Sequence, residues 1–185
     1  MPATPIALQL FAVRAECKKD LAATVKSVAS IGYKAVEPWG YGGEETAWMG
    51  WNAPDLKRLL DDNGLSCCGI HLRTGALLED NLCRTIELNR TLGNRFLIVA
   101  ADKDRMASRE SIEAFASLLE NAADRVKTEG MAVGYHAHGF DFNTVEGQPA
   151  WDVLFSTVRE DIIMQMDVGN CAMGEGDPVA TLERF

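Results

Sequence analysis

The residues able to do chemistry fall near the ends of short apolar runs. The segment GYHAHGFDF (134–142) carries His136 and His138, two of the three histidines in the chain. Residues two apart on a strand leave the same face, so both imidazoles are expected on one side, with Tyr135 and Ala137 on the other. An imidazole offers a ligating nitrogen and a proton carrier near neutrality, which suits a metal ion, a hydroxyl-rich ligand or acid–base work. Asp167, in QMDVGN, closes another apolar run. A carboxylate there is costly without a partner, so a cation or an Arg/Lys is expected beside it; its plainer role is a turn former or cap ahead of Gly169.

Glu37 in VEPWG and His71 in GIHL close two further runs, and Gln9 lies late in the first. Each has a plain alternative: a solvated loop carboxylate for Glu37, a core hydrogen bond for His71. Their coincidence at strand ends is the stronger observation, because ligands of βα folds bind at the carboxyl ends of the strands. Behind Glu37, Trp39 and the segment YGGEETAWMGW (41–51) place aromatics on a long glycine-containing loop. Trp48, Trp51 and Trp39 either stack on a sugar face or pack beneath the loop and anchor it. No Cys sits at a strand end beside a His, so cysteine catalysis is not expected.

Elements of two kinds position these residues. Strand-like runs are IALQLF (6–11), YKAVE (33–37), LSCCGIH (65–71), RFLIVA (95–100), MAVGYHAH (131–138) and IIMQMD (162–167), apolar on both faces as in a covered parallel sheet. Helical patterns lie between them. KKDLAATVKSVASIG puts Leu21, Val25, Val28 and Ile31 on one stripe and ends in Gly32. NAPDLKRLLDDNG begins near Asn52. LLEDNLCRTIELNRTLG ends at Gly93, and SRESIEAFASLLENAADRVKTEG opens on Ser108 or Ser111 as N-cap. AWDVLFSTV and GDPVATLERF are shorter candidates. The alternation gives about six βα units of roughly 30 residues, with no Pro- or Ser-rich linker, so one domain over residues 1–185 is expected. A barrel of this kind needs about 250 residues, so a barrel chain ending at Phe185 is expected to be C-terminally incomplete.

The totals bound the function. The chain has 185 residues, 47% hydrophobic and 24% charged, with a formal net charge of −9. That balance suits a globular domain and argues against gripping a nucleic-acid backbone. The start, MPATPIALQLFAV, lacks the basic region and cleavage site of a signal peptide, and no stretch reaches the ~18 apolar residues of a membrane helix. With five cysteines and no CxxC spacing, reduced buried thiols in a cytoplasm are expected.

The order of GYKAVEPWG, GIHL, GYHAHGFDF and MDVGNCAMGEGDP resembles the sugar phosphate isomerase/epimerase group of xylose isomerase-like TIM barrels, along essentially the whole chain. The resemblance implies an α/β fold of the TIM (β/α)8 type with about six of eight units present. It implies a divalent cofactor (Mn, Zn or Mg) at the carboxyl rim, with Asp167 and His136 as ligands. His136 stands where many members carry a Glu that moves a proton next to a carbonyl. The remaining His and Glu ligands of the family fall at positions beyond Phe185, and this chain as given is also read as a form that binds no metal.

The activity so implied is a metal-dependent sugar or sugar-derivative isomerase or epimerase working through an enediolate. His136, His138 and Glu37 are the catalytic candidates, and His71, Trp39, Trp48 and Gln9 the substrate-binding ones. A dehydratase of the inosose dehydratase type is the alternative, since related groups carry a YHxH strand. A non-catalytic or sugar-binding relative is the other. The acidic charge sets aside the DNA-repair branch of the superfamily. The expected partner is a sugar or polyol derivative, with no nucleic acid and no membrane, and open strand edges invite self-association.

Overall fold

The computed structural model describes residues 5–185; the reading of the first four as part of a leaderless start lies outside the described residues. Two compact units divide the chain, one ending at Leu97 and the other beginning at Ile98.

In the first unit, β1 (Ala7–Gln9) leads into a 3-10 turn over Leu10–Val13 and α1 (Arg14–Lys19). It is shorter than the run IALQLF because the Gln9 side-chain oxygen accepts the Phe11 N–H and turns the chain out of the strand. Next, α2 (Leu21–Ile31) is capped by the Asp20 side chain and stopped by Gly32 at φ 113°, a conformation that glycine takes without strain. Its stripe buries Leu21, Val25 and Val28, whereas Ile31, expected with them, is 75% exposed.

After β2 (Ala35–Glu37) the expected long loop instead holds a hairpin, β3 (Ala47–Trp48) and β4 (Trp51–Asn52). Met49 and Gly50 both have positive φ, 51° and 77°, as a two-residue hairpin turn requires. Then α3 (Ala53–Asp62) starts from Asn52, whose side chain accepts the Asp55 N–H. The run LSCCGIH breaks at Cys68–Gly69 into β5 (Ser66–Cys67) and β6 (Ile70–Leu72). Helix α4 (Glu79–Leu92) ends in left-handed Gly93, and β7 (Phe96–Val99) carries the chain onward. The strands β1, β2 and β5 are parallel neighbours, with Gln9 opposite Glu37. Val25, Val36, Leu56, Leu60, Ile70 and Leu88 fill this unit's core.

In the second unit, α5 (Arg109–Lys127) opens on a capping box in which Ser108 and Ser111 satisfy each other's main chain, so both N-cap candidates take part. Strand β8 (Ala132–His136) stops before His138, which instead begins a 3-10 turn over Gly139–Phe142. A short hairpin, β9 (Thr144–Val145) with β10 (Gln148–Pro149), precedes α6 (Ala150–Thr157). Strand β11 (Ile163–Gln165) pairs in parallel with β8, Gln165 opposite His136, and α7 (Val168–Met173) and α8 (Pro178–Arg184) follow. Phe115, Leu119, Val133, Tyr135, Trp151 and Leu154 are buried together here.

Gly134 lies opposite Ile163 in the β8–β11 pairing. A Cβ on it would stand 2.6 Å from Ile163 O and 2.9 Å from an Ile98 methyl, so only glycine fits between those neighbours. All five cysteines are free; Cys17, Cys67 and Cys171 are buried as expected, but Cys68 and Cys83 are exposed. Among the described residues no helix is long and apolar enough to cross a membrane.

Candidate active site

In the first unit the ends of β1, β2 and β6 bring Gln9, Glu37 and His71 together. Gln9 Oε1 is taken by the Phe11 N–H, which turns its amide nitrogen toward His71 Nδ1 at 3.1 Å. An amide nitrogen can only donate, so His71 Nδ1 accepts, and the neutral ring carries its hydrogen on Nε2. That nitrogen lies 3.3 Å from Glu37 Oε2. Glu37 and His71 are both buried, which makes the pair a preset donor–acceptor set rather than a solvated loop carboxylate. Gly69 makes the space: a Cβ there would collide with Glu37 Oε1. Sequence reasoning passed over Gly69; its signal was a glycine between two short strand runs.

The tryptophans divide. Trp48 is buried, donates its indole N–H to Trp39 O at 2.8 Å and meets the Trp39 ring edge-on at 5.1 Å. Its ring and its indole hydrogen bond anchor the hairpin. Trp39 is half-buried and also meets Phe11 edge-on at 6.1 Å.

In the second unit the ends of β8 and β11 bring His136, His138, Gln165 and Asp167 together. His136 Nδ1 stands 2.9 Å from Gln165 Oε1 and donates to it. His136 Nε2 then faces Asp167 Oδ2 at 3.6 Å. A ring lone pair and a carboxylate oxygen repel unless a proton or a cation lies between them. Asp167 also fills the cap role: Oδ1 accepts the Asn170 N–H at 2.8 Å and starts α7. One carboxylate thus serves both readings, one oxygen each. The His138 ring lies edge-on to His136 at 5.1 Å and stacks on Phe140.

Asp141, absent from the sequence reading as a functional candidate, sits beneath this group. It is fully buried, and its oxygens accept the Tyr135 hydroxyl at 2.9 Å and the His138 main-chain N–H at 2.7 Å. Burial pushes its carboxyl up to about 7, against the lowering effect of those two bonds. On the other side of this turn, Gly139 and Gly174 pack main chain against main chain; a Cβ on Gly174 would collide with Gly139 O.

The donor set tests the implied metal. An imidazole nitrogen and a carboxylate oxygen 3.6 Å apart, with the second ring nitrogen fixed by an amide oxygen, are donors that borderline and hard divalent ions accept. No group of three or more His, Cys, Asp or Glu with metal-site geometry occurs among the described residues. His136 and Asp167 are thus two donors of the types such an ion accepts, with no third His, Cys, Asp or Glu grouped with them among the described residues.

Alternating strands and helices, parallel pairing and polar strand ends define an α/β protein. The chain belongs to the xylose isomerase-like TIM barrel family, whose profile matches residues 25–185. Two solved structures, both sugar phosphate isomerase/epimerases from Parabacteroides distasonis, share its fold. One superposes with a TM-score of 0.85 at 20% identity, covering 100% of this chain and 73% of the other. The second gives 0.80 at 24% identity, covering 98% and 75%. A xylose isomerase-like TIM barrel protein from Mycobacterium smegmatis, in complex with magnesium, gives 0.56 at 14% identity over 83% of this chain and 57% of the other. None of the curated proteins matches the chain.

Proposed function

We propose that the protein is an isomerase or epimerase of a keto or aldehydo sugar, or of a related polyol derivative, that shifts a proton next to a carbonyl. The observation that supports this most is His136 Nε2 opposed to Asp167 Oδ2 at 3.6 Å, with the His138 imidazole beside them. When bound by His136 and Asp167, a divalent ion supplies Lewis-acid polarisation of a carbonyl and its neighbouring hydroxyl.

The remaining work falls to the protein's own groups. His138 removes the proton from the carbon beside the carbonyl. The C–H electron pair becomes the C=C bond of an enediolate, and the carbonyl oxygen takes the negative charge. Return of the proton to the former carbonyl carbon, with the neighbouring hydroxyl proton passing to the former carbonyl oxygen, gives the isomer. Delivery of a proton by a second acid to the opposite face of the original carbon gives the epimer. In the first unit, Glu37, facing the His71 Nε2–H, offers carboxylate oxygen to hydroxyl donors, while Gln9 fixes the His71 tautomer. The half-buried face of Trp39 offers an apolar surface to sugar C–H groups.

A second reading, dehydration, draws on the presence of two imidazoles and one carboxylate where a two-carboxylate proton transfer would need another acid. One experiment separates the readings: incubation of the purified protein and Mn²⁺ with aldoses, ketoses and polyols in D₂O, followed by mass and NMR analysis. Isomerisation or epimerisation gives a product of unchanged formula with deuterium at the transferred position. A product lighter by one water supports the lyase. No turnover, or full activity in both His136→Ala and Asp167→Ala, rejects the site.

A further inference from the structure

The loop following β2 encloses an open recess of about 270 Å³ whose walls include Tyr41, Glu44, Glu45, Trp48 and Arg73. Arg73 lies just past β6 in extended conformation, φ −79° and ψ 148°. Its N–H donates to Tyr41 O at 2.8 Å, and the Tyr41 N–H donates to His71 O at 3.2 Å. The main chain from 71 to 73 is thus held against Tyr41, and strand alternation returns Arg73 to the side from which His71 projects. Arg73 is exposed and lines one recess with Glu44 and Glu45.

The charges decide what such a recess can take. One guanidinium and two carboxylates sum to −1, in a chain of formal net charge −9. A phosphate or carboxylate entering here would meet two like charges for one opposite charge. A guanidinium has N–H donors and no acceptor, and a carboxylate only accepts. A hydroxyl does both, so neighbouring hydroxyls can bond to Arg73 on one side and to Glu44 or Glu45 on the other. Trp48, Tyr41, Ala47 and Met49 add apolar wall, and Gly40, Gly42 and Gly50 line the rest.

We propose that this recess is a binding subsite for a neutral, hydroxyl-rich group, the second ring or polyol portion of a glycoside, and that it selects against phosphorylated and carboxylated sugars. The inference rests on the sugar reading of the site for its ligand class, and on the recess alone for its charge preference.

The test is a titration of the ¹⁵N-labelled protein with maltose, glucose 6-phosphate and inorganic phosphate. The Arg73 Nε–H and Trp48 Nε1–H signals report the recess, and the three histidine rings report the strand-end groups. Maltose should shift the Arg73 and Trp48 signals saturably, and Arg73→Gln should weaken that binding at least tenfold. Glu44→Gln/Glu45→Gln should weaken maltose and tighten inorganic phosphate. Tighter binding of either phosphate than of maltose by the wild-type recess overturns the proposal, and so does the lack of a saturable shift with any of the three. Sugars that move the histidine signals but not Arg73 remove the subsite and leave the reaction standing. Movement of Arg73 without the histidines does the reverse.

Discussion

His136 Nε2 stands 3.6 Å from Asp167 Oδ2, while its Nδ1 is held 2.9 Å from Gln165 Oε1. A ring with one nitrogen committed to an amide oxygen presents the other to the carboxylate. The geometry predicts Mn²⁺ binding that His136→Ala and Asp167→Asn each weaken more than tenfold. Gln165→Ala, which frees the ring to rotate or change tautomer, should cost about tenfold. Water-proton relaxation in the presence of Mn²⁺ measures all three. Wild-type affinity in both ligand variants excludes the pair as a metal site.

Gly69 keeps the place of the Glu37 carboxylate. Gly69→Ala puts a methyl group where Glu37 Oε1 lies, so the carboxylate must move and the His71 Nε2–H loses its acceptor. Faster exchange of that imidazole proton with water is expected, with the Gln9 contact to Nδ1 retained. An unchanged exchange rate would show that the His71–Glu37 contact does not hold the proton.

Asp141 makes stability depend on pH in an identifiable direction. Burial raises its carboxyl to about 7 from 3.8, so between those values the native state keeps a proton that the unfolded chain has released. Its contribution to stability is complete below the unfolded value and is lost as the pH rises to about 7. Asp141→Asn stays neutral throughout, so its stability relative to wild type should improve from pH 4 to pH 7 by up to ~4 kcal/mol. Urea melts of both proteins at the two pH values measure the difference. A gap independent of pH would place the Asp141 titration elsewhere.

Trp48 holds the hairpin by a buried ring and one indole hydrogen bond to Trp39 O. Trp48→Ala should destabilise the protein by about 3–5 kcal/mol and speed amide exchange over residues 41–52. Trp48→Phe keeps most of the ring and should lose only the hydrogen bond, about 1 kcal/mol. Equal losses in the two variants would mean that the ring's volume contributes nothing.

What the sequence discloses follows physical range. Asn52, Ser108 and Gly93 mark helix ends through bonds made within a few residues, and those boundaries are visible in the string. The strand-end position of Glu37, His71, His136 and Asp167 is equally visible, because an apolar run ending in a polar residue is a local pattern. The partners of these groups are not. Gln165 reads as one polar residue in a strand until register sets it opposite His136. Asp141 reads as a turn residue until Tyr135 folds over it. The short first strand was hidden for a different reason: a side chain, Gln9, competes with the ladder for the Phe11 N–H. Ile31 follows the periodicity of its helix and is still exposed, since a stripe says which residues share a side and not how far the covering layer extends.

Two of the parallel ladders, β1 with β2 and β8 with β11, finish on a rung that joins an amide side chain to an ionisable one, Gln9 with Glu37 and Gln165 with His136. Strand alignment therefore chooses which imidazole nitrogen carries hydrogen, in His71 and in His136 alike. A slip of a single residue in either ladder would leave the backbone pairing intact and erase that choice. Redesign of the chemistry can accordingly begin at the two glutamines, whose exchange would reset proton positions without adding or removing a charge.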